Sequence, residues 1–104
     1  MTHAERIRQR DEDDMRTLLN EPWGRRIVWR LMKQCCMNSV PIVYGMPDAT
    51  AFNLGKQDIG KALLAEVLNI NPEAYMKMVK AGKKDDELMQ KEMEDERTKQ
   101  NEIE

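Results

Sequence analysis

Four basic side chains and a tryptophan are close together in one short stretch of the chain: Arg25, Arg26, Trp29, Arg30 and Lys33. A guanidinium group binds carboxylates and phosphates through paired hydrogen bonds, so an arginine row can hold an acidic protein surface or a DNA backbone. Tryptophan and arginine are also enriched at protein interfaces. The stretch therefore predicts a partner-binding surface. The alternative is an ordinary solvated face that pairs with acidic residues of the same chain.

A helix must position these side chains. Pro22 suits the first turn of a helix, where the missing N–H costs nothing. After Pro22, apolar residues form two neighbouring stripes in which members recur every four residues. The first stripe is Trp23, Ile27, Leu31 and Cys35, and the second is Val28, Met32 and Cys36. This pattern predicts an amphipathic helix with a basic back. We expect Trp23 to lie in the core and Trp29 at the edge of the buried face.

Three further helices are predicted. Acidic residues from Asp11 to Asp14 favour a first turn, and the residue before Pro22 leaves the helical region. Asp48 is a candidate cap for a helix after the loop of residues 38–47. The apolar stripe of that helix is Phe52, Ile59, Leu63 and Val67. Val40 and residues 42–44 favour a short extended piece within the loop. Asn71 and Pro72 start a last helix, with Tyr75, Met78 and Val79 as its buried face and Gly82 as its terminator.

The predicted fold is all-α: a small domain of three to four helices followed by a charged C-terminal helical tail. Residues 21–81 hold eight basic and five acidic side chains, whereas residues 82–104 hold five basic and nine acidic ones. We therefore expect a flexible N-terminus over residues 1–10, a helical domain over residues 11–81 and an acidic tail over residues 82–104. The tail is expected to be a solvated helix or disordered.

Composition argues against several classes of protein. His3 is the sole histidine, and no glycine-rich phosphate loop or nucleophile elbow is present, so we expect no catalytic site and no cofactor. One histidine and the adjacent Cys35 and Cys36 do not make a zinc site, and both thiols are expected to be reduced. No apolar run approaches the roughly 20 residues that span a bilayer.

Two blocks of the sequence resemble a small family of tailed-phage proteins, one of whose members comes from a Bordetella podophage. The first block carries the family's Pro, Gly-Arg-Arg, Trp and Leu pattern, often followed by Cys, at Pro22, Gly24, Arg25, Arg26, Trp29, Leu31 and Cys35. The second carries Phe52, Gly55, Gly60, Leu63 and Leu64, then Pro72, Glu73 and Tyr75. Lys56 and Gln57 stand where the family pattern has a basic residue such as arginine after the glycine, which is a mild departure. The resemblance covers about residues 11–80.

The resemblance implies a phage gene product encoded among capsid, portal and packaging genes. The leading hypothesis is a virion-associated or morphogenesis protein, found in the virion or the host cytoplasm, that docks on a larger phage structural assembly. A homo-oligomer is compatible with it. One alternative is a DNA-binding packaging accessory that holds phosphates with the same arginines. Another is a small inhibitor of a host enzyme, with the acidic tail mimicking nucleic acid.

Overall fold

The computed structural model describes residues 1–35 and 42–103 and contains four helices within them. The helices are α1 (His3–Leu19), α2 (Pro22–Gln34), α3 (Pro47–Ile70) and α4 (Pro72–Ile103). The all-α prediction is confirmed. The predicted extended piece forms no strand at residues 42–44, and Val40 lies outside the described residues.

Two helices begin at other residues than the sequence pattern indicated. α1 begins at His3 rather than near Asp11, because Thr2 and Glu5 form a reciprocal capping box. The Thr2 hydroxyl accepts from the Glu5 backbone at 3.2 Å, and the Glu5 carboxylate accepts from the Thr2 backbone at 3.2 Å. α3 begins at Pro47, so Asp48 lies in its first turn instead of capping it.

A small core joins all four helices. Its buried side chains are Leu19, Val28, Met32, Val67, Ala74 and Met78. On α2 the buried residues are Gly24, Val28 and Met32, so the second of the two predicted stripes faces the core. The prediction that Trp23 is a core residue is wrong, because its side chain is 52% exposed. The predicted α3 stripe is correct in its second half, where Val67 is buried and Leu63 packs against the core, while Phe52 and Ile59 are exposed.

Gly24 explains which side of α2 turns inward. A Cβ atom at this position would collide with the backbone carbonyl of Leu18, at the end of α1. The absence of a side chain therefore lets α1 and α2 cross in close contact. Val28 and Met32 follow Gly24 at a spacing of four, so the close crossing directs them to the core.

α4 does not end at Gly82, contrary to the sequence prediction, but continues to Ile103. A glycine within a helix costs about 1 kcal/mol relative to alanine. This cost is offset because Gly82 lets the Trp29 indole pack directly on the backbone of α4. A Cβ atom at position 82 would lie only 2.7 Å from the indole Nε1. Every residue from 83 to 103 is exposed. These residues are called the α4 overhang below, and the whole molecule measures 71 × 41 × 15 Å.

A candidate partner-binding groove between α2 and α4

An open groove of about 710 Å³ runs between α2 and α4 and is called the basic groove below. Its wall from α2 carries most of the positive charge, and its wall from α4 is shorter and more apolar. The lining residues are Pro22, Arg25, Arg26, Trp29, Arg30, Lys33 and Gln34 from α2, with Lys77, Met78, Ala81, Gly82 and Asp85 from α4. Five of these side chains are basic and one is acidic.

All five residues predicted to bind a partner line this groove. Arg26, Arg30 and Lys33 are exposed, and their spacing of three and four places them on one side of α2. Trp29 is half-buried and packs against the core cluster, with its indole edge against the backbone at Gly82. The tryptophan therefore forms an apolar floor beside a row of exposed cationic side chains.

Arg25 differs from the other three basic residues of α2. Its Nη1 atom donates a hydrogen bond to the backbone carbonyl of Leu19 at 3.0 Å, in a partly buried position. The last carbonyl groups of a helix have no partner within the helix, and a cation near them is favourable. Arg25 thus fastens the end of α1 to α2. This structural contact was not anticipated from the sequence, which indicated only a partner-binding role.

The wall contributed by α4 was also missed by sequence reasoning. Lys77, Ala81 and Asp85 lie four residues apart and face the groove from α4. Their spacing shows that they share one side of a helix, but only the tertiary packing of α4 on α2 places them opposite Arg26 and Arg30. No local sequence signal connects the two walls.

The basic residues of the groove are not neutralised by the described part of the chain. The ion pairs within residues 1–35 and 42–103 are Arg10–Asp11 at 3.3 Å and Arg16–Asp13 at 3.0 Å, and both lie within α1. Arg26, Arg30 and Lys33 take part in neither. The alternative of pairing with the acidic first helix or the tail is therefore not realised in the described residues. Arg26, Arg30 and Lys33 thus present positive charge to solvent and have no ion pair in this part of the chain.

The side chains that line the groove are suited to holding an anionic ligand. Guanidinium and ammonium donors surround an apolar floor, which suits an elongated ligand with carboxylates along its edges and apolar side chains beneath. Within the described residues, no three histidine, cysteine, aspartate or glutamate side chains lie close enough together to hold a metal ion. In the same residues no helix is long and apolar enough to cross a membrane.

The protein is therefore an all-α protein with a basic groove, floored by Trp29, as its candidate binding site. Its family is established by sequence. The family model of the Bbp19-like phage proteins matches residues 9–80, so the chain belongs to that family of phage proteins. This confirms the resemblance inferred from the two sequence blocks. Neither the curated proteins nor the solved structures contain a match to this chain.

The family match covers most of the residues that line the groove. Residues 9–80 include the whole of α2 and the start of α4, among them Lys77. Ala81, Gly82, Asp85 and the α4 overhang follow the end of the match. Most of the groove is thus built from the part of the chain that defines the family, whereas the overhang is outside it.

Proposed function

We propose that this phage protein is a non-catalytic docking subunit of virion assembly, which binds a larger phage structure such as the portal, the capsid interior or the ejection complex. The observation that carries the proposal is the basic groove. It gathers five basic side chains around Trp29, and the described chain supplies no acidic partner for Arg26, Arg30 or Lys33. The partner is an acidic protein surface with apolar side chains at its centre.

The side chains of the α2 wall act differently in the proposed binding. Arg26 and Arg30 form charge-assisted hydrogen bonds to carboxylates of the partner, which fix its position along α2. Trp29 buries its remaining exposed surface beneath an apolar side chain of the partner. Tryptophan and arginine are enriched among the residues that carry most of the binding energy near the centre of protein interfaces. Arg25 holds α1 and α2 together and so keeps the site in shape.

The proposed mode of action requires no catalysis. The groove contains cationic donors, one carboxylate and apolar surface, and it contains no nucleophile paired with a base. Its positive charge and open shape favour recognition of an extended surface over activation of a small substrate. The apolar floor supports a protein ligand in particular, because phosphate groups gain little from contact with Trp29, Met78 and Ala81.

The test is a charge reversal in the phage genome, R26E together with R30E. Purified particles are analysed by quantitative mass spectrometry before and after triggered genome release. We expect the unaltered protein at a fixed copy number in full particles or in purified assembly intermediates, and the variant to be depleted by at least about tenfold, because two attractive contacts become repulsive. Loss of the protein on genome release would identify the ejection complex as its site.

The matched control is R6E together with K61E, which changes the net charge equally at exposed positions of α1 and α3 outside the groove. The control protein should be incorporated normally. Equal incorporation of the R26E/R30E protein, with an unchanged phage titre, would refute docking through the groove. Circular dichroism of both purified variants verifies that the helices are retained.

DNA binding is the second candidate, because the unpaired row of Arg26, Arg30 and Lys33 also suits phosphates. Contacts from these three residues predict a salt dependence with a slope of about −3 in log K against log salt. Asp85 in the groove and the acidic residues that follow it oppose a polyanion. Gel shifts at several salt concentrations separate the two candidates: a shift that shows this slope and is lost in R26E/R30E would favour DNA over a protein partner.

A further inference from the structure

The α4 overhang carries an acidic segment that complements the basic groove. Residues 86–96 contain six acidic side chains and one basic side chain. The groove has the opposite composition, with five basic side chains and one acidic side chain. At about 1.5 Å per helical residue, the acidic segment is about 15 Å long and the α2 wall of the groove is about 18 Å long. Both charge and length therefore match.

The acidic segment cannot fill the groove of its own chain. α4 is one continuous helix from Pro72 to Ile103, and its first part already forms one wall of the groove. The acidic segment lies further along the same helix, beyond the end of the groove. A helix would have to break and reverse its direction to bring residues 86–96 back over Trp29. The segment is therefore available only to another molecule.

Apolar side chains accompany the acidic ones on the overhang. Leu88 follows Ala81 and Asp85 at helical spacing, so it continues the side of α4 that faces the groove. Met89 and Met93 continue the side on which Met78 and Gly82 are buried. Leu88 is 53% exposed, Met89 62% and Met93 57%. The overhang thus has an unburied apolar surface flanked by carboxylates, which is the type of ligand that the groove suits.

We propose that two copies of this chain pair antiparallel along α4, and that the acidic segment of each copy occupies the basic groove of the other. A two-fold axis near the start of the overhang makes both contacts equivalent, as a self-complementary interface requires. On the α4 side that faces the groove, positive Lys77 lies at one end and acidic Glu92 and Asp95 lie at the other. Antiparallel pairing brings the opposite charges together and places Leu88 of each copy near the centre.

This inference goes beyond the proposed function and stands without it, because the pair forms in the free protein. If both hold, the acidic segment of the second copy and the acidic surface of the phage assembly compete for one groove. Docking then requires the pair to open. The two proposals are tested separately, since pairing is measured with purified protein and docking with phage particles.

The experiment is a charge exchange in the full-length chain, measured by sedimentation velocity over a range of protein concentrations. One variant carries R26E and R30E in the groove, and the other carries E92K and D95K in the acidic segment. We expect the unaltered protein to dimerise and each variant alone to dissociate at least about tenfold more readily, because each reversal removes most of the charge attraction from both contacts of its dimer. An equimolar mixture of the two variants should dimerise again, since both contacts are then attractive.

A control variant, D14K together with D58K, makes the same charge change as E92K/D95K at exposed positions of α1 and α3. It should dimerise like the unaltered protein. All altered positions are exposed, and circular dichroism of each variant confirms that it is folded. A monomeric unaltered protein, dimers unaffected by either reversal, or a mixture that remains monomeric would each overturn the proposal.

Discussion

The two parts of α4 differ sharply although they belong to one helix. The first part, residues 72–82, buries Ala74, Met78 and Gly82 against the core. The second part, the overhang, buries nothing. Met78 is 2% exposed, whereas Met89 lies on the same side of the helix three turns later and is 62% exposed. The same residue type therefore has opposite environments.

This difference separates the formation of a helix from the burial of its side chains. In the overhang, the sequence spaces opposite charges four residues apart, as at Glu87 and Lys91, and such a spacing adds at most a few tenths of a kcal/mol per pair to an isolated helix. These two side chains, both in the described part of the chain, form no ion pair with each other. In the first part, tertiary packing contributes far more per residue. Stability of the body and binding by the overhang should accordingly respond to different substitutions.

The largest expected effect is that of Gly24→Ala, at the crossing of α1 and α2. The added Cβ would collide with the Leu18 carbonyl, which belongs to the backbone and cannot move without separating the two helices. We expect a loss of about 3 kcal/mol or more in the free energy of unfolding, at the upper end of overpacking effects. Urea denaturation followed by circular dichroism measures it. A loss below about 1 kcal/mol would show that the crossing is not this close.

A pair of methionine substitutions tests the comparison within α4 directly. Met78→Ala should lower the free energy of unfolding by about 2–3 kcal/mol, because it removes buried apolar surface and leaves a cavity. Met89→Ala should change it by less than about 0.5 kcal/mol when measured at low protein concentration, as is usual for exposed positions. Equal losses for the two variants would mean that the overhang packs on the body after all.

Two glycine substitutions sharpen the comparison at the junction of body and overhang. Gly82→Ala should cost about 1 kcal/mol net, because the new Cβ displaces the Trp29 indole while alanine favours the helix. Gly55→Ala on α3 is the control, since a Cβ there has no neighbour within 4 Å. It should stabilise the protein by about 0.5–1 kcal/mol. Thermal unfolding of both variants shows whether each substitution raises or lowers the stability. Stabilisation by Gly82→Ala would contradict the packing of Trp29 on Gly82.

The helical periodicity predicted the all-α fold and one wall of the groove. Arg26, Trp29, Arg30 and Lys33 share a side of α2 because of their spacing alone, and the structure places them together. Spacing gives no information about which helix lies opposite, so Lys77 was not anticipated.

The errors at Trp23 and Gly82 have the same origin in tertiary packing. Trp23 and Trp29 both lie beside the buried stripe of α2, and their burial depends on what each meets across the core. Trp29 meets a glycine of α4, whereas Trp23 remains 52% exposed. Gly82 is equally suited by sequence to ending a helix or to a close contact, and only the fold decides between these. The early start of α1 is different, because the local pair Thr2 and Glu5 signalled it in the sequence.

The smallest expected effect on stability separates the two neighbouring arginines of the family motif. Arg25→Ala removes the hydrogen bond to the Leu19 carbonyl and should cost about 1 kcal/mol, a value kept low because the site is only partly buried. Arg26→Ala removes no hydrogen bond or ion pair within the described residues and should leave the free energy of unfolding unchanged within about 0.5 kcal/mol. Binding should show the reverse order, since Arg26 is exposed in the groove and Arg25 is committed to α1. Urea denaturation and dimer dissociation are measured for both variants. The expected result assigns Arg25 to maintaining the groove and Arg26 to binding. Equal effects of the two variants in both measurements would mean that the Leu19 contact does not distinguish them.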